Sequence, residues 1–447
     1  MASQVKPAAA PVTRISEMFR ALAHRNFRLF WAGAFLSNAG TWMQTVAQGW
    51  LVLQLTDSPF WLGFDGFMAT APGLLLTLVG GVFADLVDRK RLLIFTQIGS
   101  GLSALTLALL IVTGVVVDSS DVWIILVLSF MTGCCMSLAG PSYHAITFDL
   151  VGREDLANAI ALNSTQFQLS RVIGPLLAAV CMKVFGIAGC FLINGLSYIA
   201  IVAALSQVRF EKNVSESDTG TGAAEEAAAV MTAPAENGPA RSLKDRRALW
   251  QDMVEGFRYV SGRPRVRLIM LCSAVTSLFG APYLVLIPLF ARDVFRWGET
   301  GLALMMGTAG AGAFCGALLL TYLGDFKRKG WFMLGSAFAG GVCLINFSLA
   351  TRPALSLLLL FSVGFSMVSF FATTNTLLQQ LVTDEMRGRV MSIWILTFIG
   401  TMPFGSFFAG VAAERFGAPW TLATGGLVVA GFIALISVRS ERLRALS

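Results

Sequence analysis

Leu150-Val-Gly-Arg-Glu154 and Leu381-Val-Thr-Asp-Glu385 lie 231 residues apart, and the chain repeats itself at that same spacing on both sides of them. Phe130 matches Phe361, Gly133 matches Gly364, and Met136 matches Met367. Further along, Gly174 matches Gly405, and Phe185-Gly186 matches Phe416-Gly417. So many identities at one offset mark an internal duplication. Each copy sits in the same place within a set of six apolar stretches.

Those stretches are read at 27–55, 60–84, 92–116, 122–145, 157–182, 184–206, 266–291, 298–322, 331–350, 353–378, 389–412 and 418–437. Each is long enough for a bilayer-spanning helix, which needs roughly 20 mostly apolar residues. The composition agrees: 55% apolar residues against 13% charged and a mean hydropathy of +0.70 are outside the range of a soluble domain. The fold class expected is therefore an all-α membrane protein with twelve transmembrane helices in two pseudo-repeated halves of six.

Charge sets its orientation. Of the 33 Lys and Arg, 27 fall in alternate gaps between spans, including both termini, while five (Lys183, Arg292, Arg296, Arg352 and Arg415) fall in the other gaps. The positive-inside rule then places both termini in the cytosol. The net charge of +7 is mostly this signal facing an anionic inner leaflet, so nucleic acid is not an expected partner. Met1 to Arg28 lack the short apolar run and cleavage site of a secretory signal, and the first span is expected to act as its own insertion signal.

The seven cysteines lie in or beside spans without CxxC pairing, and there are only two histidines, His24 and His144. No metal site or cofactor is expected. There is no GxxxxGK[ST] loop, GxSxG elbow or HExxH pair, so neither nucleotide hydrolysis nor these hydrolase chemistries apply. A membrane-embedded enzyme is the least favoured class, with Asp149, His144 and Glu154 as its only approximation to a cluster. The expected segments are 1–26 (cytosolic lead-in), 27–206 (first half), 207–245 (linker), 246–265 (cytosolic amphipathic helix), 266–437 (second half) and 438–447 (tail). The linker is rich in Ala, Glu, Gly, Thr and Ser, too polar to offset its ordering entropy.

Between the second and third spans stands Gly81-Val-Phe-Ala-Asp85-Leu-Val-Asp88-Arg89-Lys90-Arg91. This is similar to the signature loop of the major facilitator superfamily, with Asp88 where that pattern usually has a second glycine. The opening Asn26-Phe27-Arg28, the run Gly40 to Gln44, and Leu381 to Met391 with its mate Leu150 to Ile160 resemble its bacterial drug:proton antiporter branch, which includes the enterobactin exporter and macrolide or multidrug efflux proteins. The resemblance covers Asn26 to Gly417. It implies the major facilitator fold, a place in the bacterial inner membrane, and a small-molecule cargo moved by rocking of the two halves. Protons are the coupling partner it implies.

On this pattern Gly81 permits close helix approach, Asp85 and Arg89 form a conformational latch, and Arg387 or Arg389 is the partner of Asp85 across the halves. A purely topogenic basic cluster is the competing reading of Arg89 to Arg91. In the fifth span Ser170-Arg171-Val-Ile-Gly174-Pro175 resembles part of the antiporter signature, in which Gly174 and Pro175 let the helix bend. Arg171 is the one basic residue well inside a span. Its placement costs at least ~2.5 kcal/mol on the lenient insertion scale unless it meets a cavity or a partner. It either lines a substrate cavity or holds the bend through backbone carbonyls.

Asp65 is the only acid clearly within an apolar stretch, which makes it the candidate for proton coupling, with surface exposure or a helix cap as the alternative. Asn38, Thr41, Thr45 and Gln48, with Gln44 at the edge, recur at helical spacing in the first span. Ser366, Ser369 and Thr373 do so in the tenth, and Thr276 and Tyr283 stand in the seventh. These are candidate cavity residues, while Ser/Thr stripes also serve helix packing in membranes. The function expected is proton-coupled efflux of a drug-like or siderophore compound. A metabolite importer or a lysolipid flippase of the same fold is the alternative.

Overall fold

The computed structural model of the protein describes residues 19–86, 88–207, 246–440 and 443, without the side chains of 77–86, 141, 144, 145 and 246–252. Most of the expected linker, most of the lead-in, and the side chains of Gly81, Asp85 and His144 lie outside that set.

The described chain is helical throughout its spans. Helices α1 (Arg25–Thr56), α2 (Pro59–Leu86) and α3 (Arg89–Val112) come first. Asp88 caps α3, its carboxylate accepting from Arg91 N at 2.8 Å, so the acid in place of the motif's glycine starts the next helix. The run Val122–Gln207 is broken only at Gly152 (φ 69°) and Gly186 (φ 72°), giving α4 (122–151), α5 (153–185) and α6 (187–207). After a helix at Arg246–Gly262 (α7) come α8 (Pro264–Val294), α9 (Gly298–Leu323), α10 (Lys329–Leu349), α11 (Pro353–Leu381), α12 (Asp384–Phe416) and α13 (Ala418–Arg439). Nine of the runs among the described residues are long and apolar enough to cross a membrane, one of them the 62-residue run 146–207 that holds α5 and α6. At 1.5 Å per residue, α1 and α2 also exceed the ~30 Å hydrocarbon thickness. The twelve spans are α1–α6 and α8–α13.

The seventh span departs from the single helix expected. It widens into π-turns at Thr276–Gly280 and Phe290–Val294 around the short helix Tyr283–Leu289. Pro282 and Pro288 supply the reason: neither has an N–H to donate, so the ladder reorganises around them. Ala281 N now bonds Thr276 O at 3.1 Å, and Phe295 N bonds Phe290 O at 2.8 Å.

The repeated glycines acquire a physical meaning here. A β-carbon on Gly133 (α4) meets Ala69 O of α2, and one on its mate Gly364 (α11) meets Ala309 O of α9. Likewise Gly174 (α5) presses on Ala39 O and Trp42 of α1, and Gly405 (α12) on Leu278 O and Pro282 of α8. Gly186 and Gly417 both hold positive φ at the turn into the last helix of each half, a backbone region open to glycine. The duplicated residues are those that bring the same helix pairs together twice.

Apolar packing separates the two ends of the bundle. One end carries Arg20, Arg89, Lys90 and Arg389 and is called the basic end below; the opposite end carries Asp57, Arg292 and Glu414. At the basic end there are two separate cores. One is built from first-half residues such as Phe27, Phe30, Leu93, Ile146 and Leu205, and the other from second-half residues such as Ile269, Met333, Phe370, Leu378 and Val390. Toward the opposite end a single core holds both halves, with Leu53, Leu62, Ile125 and Phe191 packed with Leu286, Phe290, Leu302 and Phe347. Among the described side chains, the continuous core that joins the halves lies toward that opposite end.

Candidate functional site

Among the described residues two long helix crossings, α2 with α12 and α5 with α9, join the halves beside smaller contacts of α8 with α1 and α2. At the first, Gly63 of α2 meets Gly410 of α12, and a β-carbon on Gly63 would lie 2.6 Å from Gly410 Cα. Phe60, Phe64 and Phe67 stack along α2 and meet Phe407 edge-on at 6.0, 6.1 and 6.0 Å. At the second crossing Gly310 of α9 fits against the Arg171 carbonyl of α5, and Gln168 Nε2 donates to Ala313 O at 3.2 Å.

The opposite end is also bound by charge. Arg292 of α8 pairs with Asp57 at 2.6 Å and donates to Leu53 O at 3.1 Å. Glu414 of α12 accepts from Ser58 Oγ at 2.8 Å and from Phe60 N at 3.1 Å. Both contacts cross from one half to the other. At the basic end the ion pairs observed join residues of the same half: Arg89 with Asp149 at 3.9 Å, Arg20 with Asp155 at 2.8 Å, and Arg389 with Glu255 of α7 at 2.7 Å. Arg387 pairs with Asp384. Among the described contacts, Arg387 pairs within its own helix and Arg389 with α7 in this conformation.

Asp65 is buried, 7% exposed, and held by three helices. Gln48 Nε2 of α1 donates to both carboxylate oxygens at 2.9 Å and lies 2.7 Å from Ser129 Oγ of α4. Ser129 Oγ donates to Oδ1 at 2.6 Å. No lysine or arginine among the described residues pairs with it. The acid is well inside the helix and does not cap it. A carboxylate secured by neutral donors can accept a proton without breaking an ion pair, and burial makes the charged form expensive. Ser129, 64 residues away, carried no local sequence signal.

The other polar residues of α1 differ in their partners. Thr41 Oγ1 donates to Ser37 O at 2.9 Å and meets Tyr198 OH at 3.1 Å, while Gln44 accepts from Asn194 Nδ2 at 2.6 Å. With Gln48 these residues are taken up by hydrogen bonds inside the first half. Asn38 is half-buried and Thr45 exposed, and at helical spacing both share a face with Trp42. The Trp42 ring lies under the Arg171 guanidinium, 5.1 Å from its centroid.

In the second half Ser366, Ser369 and Thr373 are buried. A β-carbon on Gly340 would touch Ser366, and one on Gly316 would touch Ser369, so this stripe packs α11 against α10 and α9. Thr276 is buried in the first π-turn and Tyr283 directly follows it; π-turns frequently accompany functional sites. Gly174 serves close approach to α1, with Pro175 next to it in the same helix.

The sequence matches the family described as transmembrane secretion effector over residues 16–227 and again over 224–446. A staphyloferrin A transporter of Staphylococcus aureus is 24% identical over 405 residues, 90% of this chain and 92% of that protein. The multidrug efflux pump Tap of Mycolicibacterium fortuitum is 25% identical, covering 92% and 95%. The enterobactin exporter EntS of Shigella boydii is 24% identical, covering 94% of each. Among solved structures, an inward-facing, unoccupied bacterial homologue of the human lysosomal transporter Spinster superposes with a TM-score of 0.65 at 13% identity, over 96% of both chains. A variant of the nucleoside transporter NupG superposes with a TM-score of 0.61 at 11% identity, over 92% of this chain and 98% of that one. A duplicated twelve-helix bundle with this fold and this family match is a transporter and not an enzyme: the chain belongs to the transmembrane secretion effectors of the major facilitator superfamily.

Proposed function

We propose that this protein exports a small organic compound from the bacterial cytoplasm in exchange for protons, by alternating access. The single observation that carries the coupling is Asp65, a buried carboxylate on neutral donors from α1 and α4. Protonation from the outer side and release to the cytosol would change its hydrogen bonds with two helices of the first half. The positive-inside pattern places the basic end in the cytosol. With the described side chains packed into one core across the halves at the opposite end and into separate cores at the basic end, the conformation reads as cytosol-open. Asp85, Gly81 and Arg89, with Arg387 or Arg389, are the latch of the alternative, outward-open state.

Efflux as the direction is supported by relatives named as an enterobactin exporter and a multidrug efflux pump. Import remains the second reading because the fold is shared with a nucleoside transporter. Inverted membrane vesicles decide between them. An exporter accumulates labelled siderophore, macrolide or dye under an imposed acid-inside gradient and loses it when nigericin collapses the gradient. Accumulation that ignores the gradient contradicts proton coupling.

A further inference from the structure

We infer that the cargo carries a carboxylate or an equivalent planar oxyanion, which docks on Arg171 between the two halves. This rests on the transport reading above and gives the substrate its chemical class.

Arg171 stands near the middle of α5 (153–185), opposite Gly310 near the middle of α9 and beside Trp42 near the middle of α1. Those three positions put its guanidinium close to the centre of the bilayer. Arginine stays charged at any physiological pH and presents five N–H donors. Here none of them makes a hydrogen bond to a described residue, and Nε is sealed from solvent with no partner. That removes the alternative in which the side chain holds backbone carbonyls.

Among the described residues no carboxylate pairs with Arg171. The described ion pairs lie toward the ends of the bundle, and Asp65 is engaged by Gln48 and Ser129. What faces Arg171 is the Trp42 ring, 5.1 Å from the guanidinium carbon to the ring centroid. The ring places and partly desolvates the cation while leaving its fork of donors open. A planar fork with free donors matches a two-oxygen anion in a bidentate contact.

The surroundings suit such a group. Arg171 is only half-buried as a residue, and Asn38 and Thr45 lie on the Trp42 face of α1 with exposed or half-exposed side chains. Tyr283 adjoins the π-turn Thr276–Gly280. Because Gly310 of the second half fits against the Arg171 carbonyl, an anion on Arg171 sits at the junction of the halves, so its arrival and departure depend on how they are rocked.

The test is equilibrium binding to the full-length protein in nanodiscs, by fluorescence anisotropy of two xanthene dyes of similar size: 5-carboxyfluorescein, an anion, and rhodamine 123, a cation. Carboxyfluorescein is expected to bind and rhodamine 123 to bind at least tenfold more weakly. Arg171→Gln should weaken carboxyfluorescein by about thirtyfold. Arg171→Lys should recover part of that loss, and Arg415→Gln, at an exposed site on the opposite end, should change nothing. The variants' melting temperatures show whether each is folded. Unchanged carboxyfluorescein binding in folded Arg171→Gln overturns the assignment, as does a preference for rhodamine 123 or binding of neither dye. Failure of the proton-coupled reading appears instead as cargo movement without proton flux, and leaves these affinities untouched.

Discussion

Gly63 and Gly410 cross with no room for a side chain: a β-carbon on Gly63 would lie 2.6 Å from Gly410 Cα, and one on Gly410 would lie 2.7 Å from Gly63 Cα. This contact is the seam where the apolar core of one half becomes the core of the other. Gly63→Val is expected to lower stability by about 1–3 kcal/mol through overpacking. The variant also disfavours the conformation closed at the opposite end. Gly140→Ala, where an added β-carbon meets nothing within 4 Å, is the control and should be neutral or slightly stabilising. Thermal unfolding in detergent compares the two.

The ion pair of Arg292 with Asp57 reinforces the same seam from the surface. Asp57 is largely exposed, 83% at its side chain, so the pair's contribution is small. A cysteine placed at Ser58 should react about twofold to fivefold faster with a membrane-impermeant maleimide when Arg292 is changed to Ala. An unchanged rate would mean that packing alone closes this end.

Gly186 and Gly417 hold φ of 72° and 83°. Alanine at either position should cost about 1–3 kcal/mol, because that backbone region is essentially reserved for glycine. The two losses should be similar, and, since the sites lie in different halves, the double variant should lose nearly their sum. Melting temperatures of the three variants measure it.

Lys329 is almost fully buried and bonds Asp325 and, at 3.0 Å, Gln380. That hydrogen bond, and then the lysine charge, hold the Asp325 carboxyl below its ordinary range. A depressed folded pKa gives stability that is present above the unfolded value, about 3.9, and is lost as pH falls through the folded value. Asp325→Asn should therefore melt below the wild type at pH 7, and the gap should close toward pH 3. A gap that persists at pH 3 would assign the effect to packing.

The duplication was readable because its residues answer to backbone geometry. Gly133 and Gly364, or Gly186 and Gly417, recur where a helix pair must touch or the chain must turn, and nothing else fits those places. The polar residues of α1 were harder to assign. At roughly 100° per residue, Asn38, Thr41, Gln44, Thr45 and Gln48 fall within one arc of about 120°, and only the neighbouring helices show that Thr41, Gln44 and Gln48 have side-chain partners across the first half. The α11 hydroxyls read as cavity or packing, and their fit against Gly316 and Gly340 is visible only with the neighbouring helices in place. Ser129, Asn194 and Tyr198 reach α1 or Asp65 across long sequence separations. Arg292 did leave a trace, as one of the five basic residues outside the gaps that hold the other 27.

The Asp65 network makes a further demand on its neighbours. Ser129→Ala removes a donor from a buried carboxylate while leaving the acid, and should change the pH dependence of transport without abolishing it, since the carboxylate loses a hydrogen bond. Gln48→Leu, which removes the other donor, should change it as well. A pH–rate profile of cargo efflux reads both, and a profile unchanged in both variants would separate Asp65 from the coupling step.

The most direct measurement is proton movement across vesicles that contain the wild-type protein or Asp65→Asn at equal abundance, followed with an entrapped pH-sensitive dye while siderophores, macrolides and dyes are added. The account predicts a compound-triggered proton flux in the wild type that is absent in Asp65→Asn. A flux of the same size in Asp65→Asn would contradict it.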